Sequence, residues 1–74
     1  MVHHEEIRRA WRRQPFEPFV LFMADGRSFP IAHPELIFVT RNGRSVVFED
    51  TDGFVEILAT ALITSIAVPN DADS

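Results

Sequence analysis

Residues rich in Val, Ile, Leu and Phe occur along this chain in short runs, and three of the breaks between runs are an Asp or Asn followed by glycine: Asp25-Gly26, Asn42-Gly43 and Asp52-Gly53. A two-residue type I′ turn needs positive φ at both central positions, which Asx-Gly tolerates best, and its twist matches that of the strands it joins. The pattern predicts strands at about 19–24, 27–32, 36–40, 44–49, 54–58 and 62–68, with type I′ hairpins at the three Asx-Gly pairs. Pro30 interrupts the second run, so that strand belongs at a sheet edge or bulges there. His33-Pro34-Glu35 breaks the ladder before the third strand, and the small residues Ala59-Thr60-Ala61 link the fifth to the sixth.

Ahead of the strands the period changes. Ile7, Ala10 and Trp11 are spaced i, i+3, i+4 with charged residues between them, which predicts an amphipathic helix over about 5–13. Glu5 and Glu6 in its first turn and arginines in its last complement the helix dipole, and Gln14-Pro15 ends it. A helix this short is marginal alone, so Ile7 and Trp11 must dock on the sheet. Pro15-Phe16-Glu17-Pro18 is a stiff connector into the first strand. Residues 69–74 read as a flexible acidic tail.

Two strands do not alternate. Phe19 to Met23 and Ile37-Phe38-Val39 are apolar on both faces, whereas an antiparallel strand with one wet face is not. The helix, curling of the sheet, or a second copy of the chain would cover the extra face. The expected fold is therefore mainly β, a single domain over 1–74: one N-terminal helix and a bent five- to six-stranded antiparallel sheet forming a small SH3/Sm-like barrel. Self-association into a dimer or ring is expected to use the remaining apolar surface.

Composition narrows this further. The 74 residues bury little surface, and ~0.05–0.15 kcal/mol per residue gives a total stability of roughly 4–11 kcal/mol. There is no cysteine, so neither a disulfide nor a thiolate metal site staples the chain. No apolar run is long enough to span a bilayer, the N-terminus lacks the layout of a secretion signal, and a cytoplasmic location is expected. The net charge is −4, unevenly spread. All seven basic residues are arginines between Arg8 and Arg44, while residues 45–74 carry only acidic charges.

Candidate chemistry is sparse. His33, with Glu35 two residues on and Asp25 in the preceding turn, is the one arrangement resembling an acid–base pair. His-Pro-Glu is also a sound structural element, since proline suits the first position of a helical turn and Glu its positive end. His3 and His4 are adjacent, expected to point apart and to fray, and make no metal site. Serine and threonine occur outside any nucleophile elbow, and no glycine-rich phosphate loop is present. No enzyme activity, cofactor or metal is expected. Arginine-based RNA binding has one argument: Arg8 and Arg12 on the helix with Arg27 and Arg44 at hairpin turns could clamp phosphates or stack on bases.

The run Gln14-Pro15-Phe16-Glu17-Pro18-Phe19, then Asp25-Gly26-Arg27, His33-Pro34-Glu35, Asn42-Gly43-Arg44 and Leu62-Ile63-Thr64-Ser65-Ile66, resembles a group of small bacterial proteins with Q-P-F-x-P-F, D-G-R and H-P-E or H-P-D motifs. That resemblance covers most of the chain and brings no assigned activity. Val20 through Phe29 and Ile63-Thr64-Ser65-Ile66 are similar, more loosely, to Sm-like proteins such as Hfq, which implies a small barrel and ring or dimer assembly. Thr60, Ala61 and Leu62 stand where Hfq carries the Lys-His pair of its uridine pocket. The functional expectation is a small non-enzymatic interaction module that self-associates and can take a protein partner, the alternative being an Sm-like RNA binder using Arg8, Arg12, Arg27 and Arg44.

Overall fold

A computed structural model of the chain describes residues 2–68; the tail expected at 69–74 lies outside them. The helix α1 spans His4–Arg12, one residue earlier than expected, because His3 caps it. The imidazole Nδ1 of His3 accepts the Glu5 N–H at 3.2 Å, and the Glu6 carboxylate accepts the His3 N–H at 3.1 Å. This reciprocal arrangement satisfies two backbone donors that a helix end otherwise leaves open. Far from fraying apart, the His3 and His4 rings stack with centroids 4.4 Å apart.

Six strands follow: β1 (Phe19–Met23), β2 (Ser28–Ile31), β3 (Ile37–Val39), β4 (Ser45–Glu49), β5 (Val55–Ala59) and β6 (Ile63–Ala67). They form two separate three-stranded antiparallel sheets, ordered β2-β1-β6 and β3-β4-β5, in place of the single bent sheet expected. No ladder joins β2 to β3 or β5 to β6 among the described residues, so the two sheets do not close into the SH3/Sm-like barrel expected from the sequence. A 3₁₀ turn stands at each gap, Pro34–Leu36 and Thr60–Leu62. Proline contributes to the first opening. The bonded pair Met23–Arg27 and the register Val20↔Pro30 turn the Pro30 nitrogen away from β1, so β2 has no donor there to offer β3.

All three Asx-Gly pairs reverse the chain, though not as type I′ turns. Only the glycines have positive φ (Gly26 93°, Gly43 74°, Gly53 88°), and no other described residue does. The N–H of each glycine instead closes a turn onto the carbonyl three residues back, at Met23, Thr40 and Asp50, with the Asx residue as the turn's second corner. Negative φ at both corners with that bond is a type I turn, and the following left-handed glycine restores the strand direction. The Asx side chains lock two of the reversals. Asp25 Oδ1 accepts the Arg27 N–H at 3.0 Å, and Asn42 Oδ1 accepts the Arg44 N–H at 2.9 Å. At the third, Asp50 does this work, accepting the N–H groups of Asp52 and Phe54, each at 2.9 Å.

The core lies between the sheets. Phe19, Leu21 and Ile31 from the first and Val39, Val46 and Leu58 from the second are buried in one cluster, into which α1 inserts Ile7. Phe29 and Phe48 meet edge to face across the sheets at 5.4 Å. In β1 alternate side chains are buried, leaving Phe22 on the other face at 38% exposure. Trp11 packs against the margin of this cluster, donates from Nε1 to the Pro34 carbonyl at 2.9 Å and meets Phe38 edge-on at 5.7 Å.

Candidate functional site

The register of the second sheet aligns Phe38 with Val47 and Val47 with Ile57, placing the three in one row. Their neighbours in sequence, Ile37, Val39, Val46 and Leu58, point into the core, so the row lies on the outer face. Phe38 is 57% exposed and Ile57 73%, with Val47 half-buried between them. Val55, two residues along β5 on the same face, is also exposed. Trp11 closes the β3 end of the row, and the β5 end is open. Solvent-facing positions of an antiparallel sheet are ordinarily polar. Sequence inspection finds the doubly apolar β3 but not this row, because the Phe38–Val47–Ile57 alignment depends on hairpin registers that the Asx-Gly motif alone does not fix.

Of the four arginines singled out in the sequence, Arg8, Arg12 and Arg27 make side-chain contacts within the chain. Arg8 donates to the carbonyls of Thr40 at 3.0 Å and Arg41 at 3.4 Å, tying α1 to the β3–β4 turn. At that same turn the His4 ring lies so close over Gly43 that a Cβ there would overlap it. The Arg12 guanidinium lies 5.8 Å from the centre of the Trp11 ring. Arg27 reaches Asp25 at 2.8 Å and Glu56 on β5 at 3.3 Å, and lies over Phe29 at 5.4 Å. Arg44 contributes backbone: its N–H goes to Asn42, and its carbonyl accepts the Thr60 N–H at 2.9 Å.

A groove of about 720 Å³ runs between α1 and the end of β6, with Ala10, Ile66 and Val68 as its apolar lining. Its charges are mixed, with Arg8, Arg9 and Arg12 beside Glu5 and Glu6. Such a lining favours neither a phosphate chain nor an acidic peptide.

The acid–base arrangement imagined around His33 is not assembled. Asp25 is engaged with Arg27, and His33 precedes the 3₁₀ turn, its carbonyl accepting the Leu36 N–H at 3.1 Å. The Asp25 carboxyl is held below its ordinary value of 3.8, chiefly by the Arg27 backbone N–H, against an opposing cost of desolvation, with the Arg27 side chain lowering it further. Among the described residues no group of three or more His, Asp or Glu side chains is placed to hold a metal ion, and no helix is long and apolar enough to cross a membrane. No family model, curated protein or solved structure matches the chain.

Proposed function

We propose that the chain is a small non-enzymatic interaction module that self-associates through its second sheet, β3-β4-β5. The row Phe38–Val47–Ile57 on the outer face of that sheet carries the reading. Three aligned apolar side chains, extended by Trp11 at one end and Val55 beside the other, form the kind of contiguous patch that monomeric domains seldom leave in water. A second copy suits it, because a two-fold contact needs only one self-complementary patch and the row continues unbroken to the open edge of its sheet. The looser motif likeness to Sm-like assemblies favours the same reading.

RNA binding receives less support. Arg8 is occupied with backbone carbonyls and Arg27 with two carboxylates, so half of the proposed arginines already have partners. One measurement addresses both readings: light scattering across concentration, with the absorbance ratio recorded. Self-association that weakens at least tenfold in the Phe38→Ser, Ile57→Thr variant, with no absorbance at 260 nm beyond that of the protein, is the expected result. A parent protein still monomeric at roughly 1 mM, where association would be worth no more than about 4 kcal/mol, refutes the proposal. Salt-sensitive nucleic acid carried through purification would favour the arginine reading instead.

A further inference from the structure

We infer that two copies join edge to edge along β5, antiparallel about a two-fold axis at Ile57, so that both second sheets become one six-stranded sheet. This rests on the self-association proposed above and specifies its geometry.

The inference begins with which way the backbone of β5 faces. In an antiparallel ladder, directly opposed residues alternate between pairs that exchange hydrogen bonds and pairs that do not. The Asp50 N–H to Phe54 carbonyl bond at 2.9 Å fixes the phase at one end of the β4–β5 ladder, and the Thr60 N–H to Arg44 carbonyl bond at 2.9 Å fixes the same phase at the other. With the register Phe48↔Glu56, Val47↔Ile57 and Val46↔Leu58, the bonding pairs are those of Glu56 and Leu58. The N–H and C=O groups of Val55, Ile57 and Ala59 therefore point away from β4, to the free edge. All three residues are exposed, and of these groups the Ala59 carbonyl is otherwise engaged, opening the 3₁₀ turn Thr60–Leu62 that follows.

The other sheet edges are guarded. The edge of β3 lies beside α1, which bonds across to Pro34 and Thr40. Of the two outward positions in β2, Ser28 and Pro30, the second has no donor, and β6 begins beneath Val2, whose N–H bonds the Ile63 carbonyl at 3.4 Å. On β5 there is no proline, bulge or outward charge, the devices by which natural edges resist pairing. Its one acidic side chain, Glu56, faces Arg27 at 3.3 Å and is neutralised there.

The edge is also self-complementary. Centring the pairing on Ile57 sets Ile57 opposite Ile57 of the second copy and Val55 opposite its Ala59. All three pairs then fall in bonding phase, giving about four hydrogen bonds to groups that are otherwise open, with the two Ala59 carbonyls shared with their own 3₁₀ turns. The side chains brought together on the outer face are all apolar. The two rows merge into one band from Phe38 of one copy to Phe38 of the other, with a Trp11 at each end. Face-to-face stacking of the two rows would leave these backbone groups open.

Amide hydrogen exchange, measured by NMR on the parent protein at low and high concentration beside light scattering, tests the geometry. Association with at least tenfold slowing of the Val55, Ile57 and Ala59 amides is the expected result. Association that leaves these amides exchanging as in the monomer overturns edge pairing while the self-association reading stands. Absence of association overturns both. Ile57→Pro is the matching variant: it removes an N–H that β4 does not use, so the monomer keeps its ladder and loses the central pair of the joint. Its circular dichroism should match the parent monomer, with association weakened at least tenfold. A folded Ile57→Pro protein that associates as strongly as the parent refutes the inference.

Discussion

Replacing Trp11 by alanine removes three contacts at once, and the structure allows each to be weighed. The ring is partly buried against the core, so about half of its ~200 Å² leaves water, worth ~2.5 kcal/mol at ~25 cal/mol per Å². Its edge-on contact with Phe38 adds ~0.5–1.5 kcal/mol, and the Nε1–H bond to the Pro34 carbonyl a net ~0.5–1.5 kcal/mol. Against these stand the higher helix propensity of alanine, by ~0.5 kcal/mol, and the side-chain freedom regained. The net loss is about 3 kcal/mol, which at ~4–8 °C per kcal/mol lowers the melting temperature by roughly 12–24 °C. Trp11→Phe keeps most of the apolar contact and loses the hydrogen bond, so it should cost only about 1 kcal/mol. Thermal and urea melts followed by far-ultraviolet circular dichroism measure both, since the tryptophan signal disappears with the residue. A Trp11→Ala protein melting within ~3 °C of the parent would refute the anchoring role, because that shift corresponds to under ~1 kcal/mol. Equal losses in the two variants would refute the division between ring contact and hydrogen bond.

Two further predictions concern the hairpins. Gly43→Ala should cost well beyond the ~1–2 kcal/mol of a left-handed alanine, because the new methyl group must also displace the His4 ring. Gly26→Ala, with positive φ but open space around it, should cost only the backbone term, and equal melting temperatures for the two would contradict the packing of α1 on the β3–β4 turn. The lowered Asp25 pKa means that ionised Asp25 favours the folded state above the ordinary carboxyl range, and that this contribution is lost as pH falls through the depressed folded value, below 3.8. In Arg27→Ala the Asp25 pKa, followed by carboxyl carbon NMR, should rise yet stay under its ordinary value, because the residue 27 N–H still donates; an unchanged titration would exclude the guanidinium as a cause.

Much of the fold was legible because its signals are local. The i, i+3, i+4 spacing of Ile7, Ala10 and Trp11 places the helix within a residue of where it lies, and all six strands appear within a residue or two of their expected bounds. The turn type is not fixed by the Asx-Gly pair. Asx-Gly suits either a two-residue type I′ turn or a type I turn ending in a left-handed glycine, and the choice depends on which flanking residues pair. The division into two sheets was also hidden, since it depends on the 3₁₀ turns at 34–36 and 60–62 and on which side of β2 the Pro30 nitrogen faces. Among the candidate residues, spacing could not separate an arginine that reaches solvent from one such as Arg8, whose partners lie 32 and 33 residues away. The apolar row on the second sheet was invisible for the same reason: its members come from three strands.

The pairing of β1 with β6 also bears on how the chain is made. Phe22 and Thr64, joined by a hydrogen bond at 3.2 Å, are 42 residues apart, whereas β3, β4 and β5 pair only with neighbours in sequence. During synthesis the second sheet can assemble from contiguous hairpins while β1 waits for a partner that has not yet emerged from the ribosome. Until it arrives, the middle strand of the first sheet has one side unpaired, and the nascent chain is most vulnerable to misassociation in that interval.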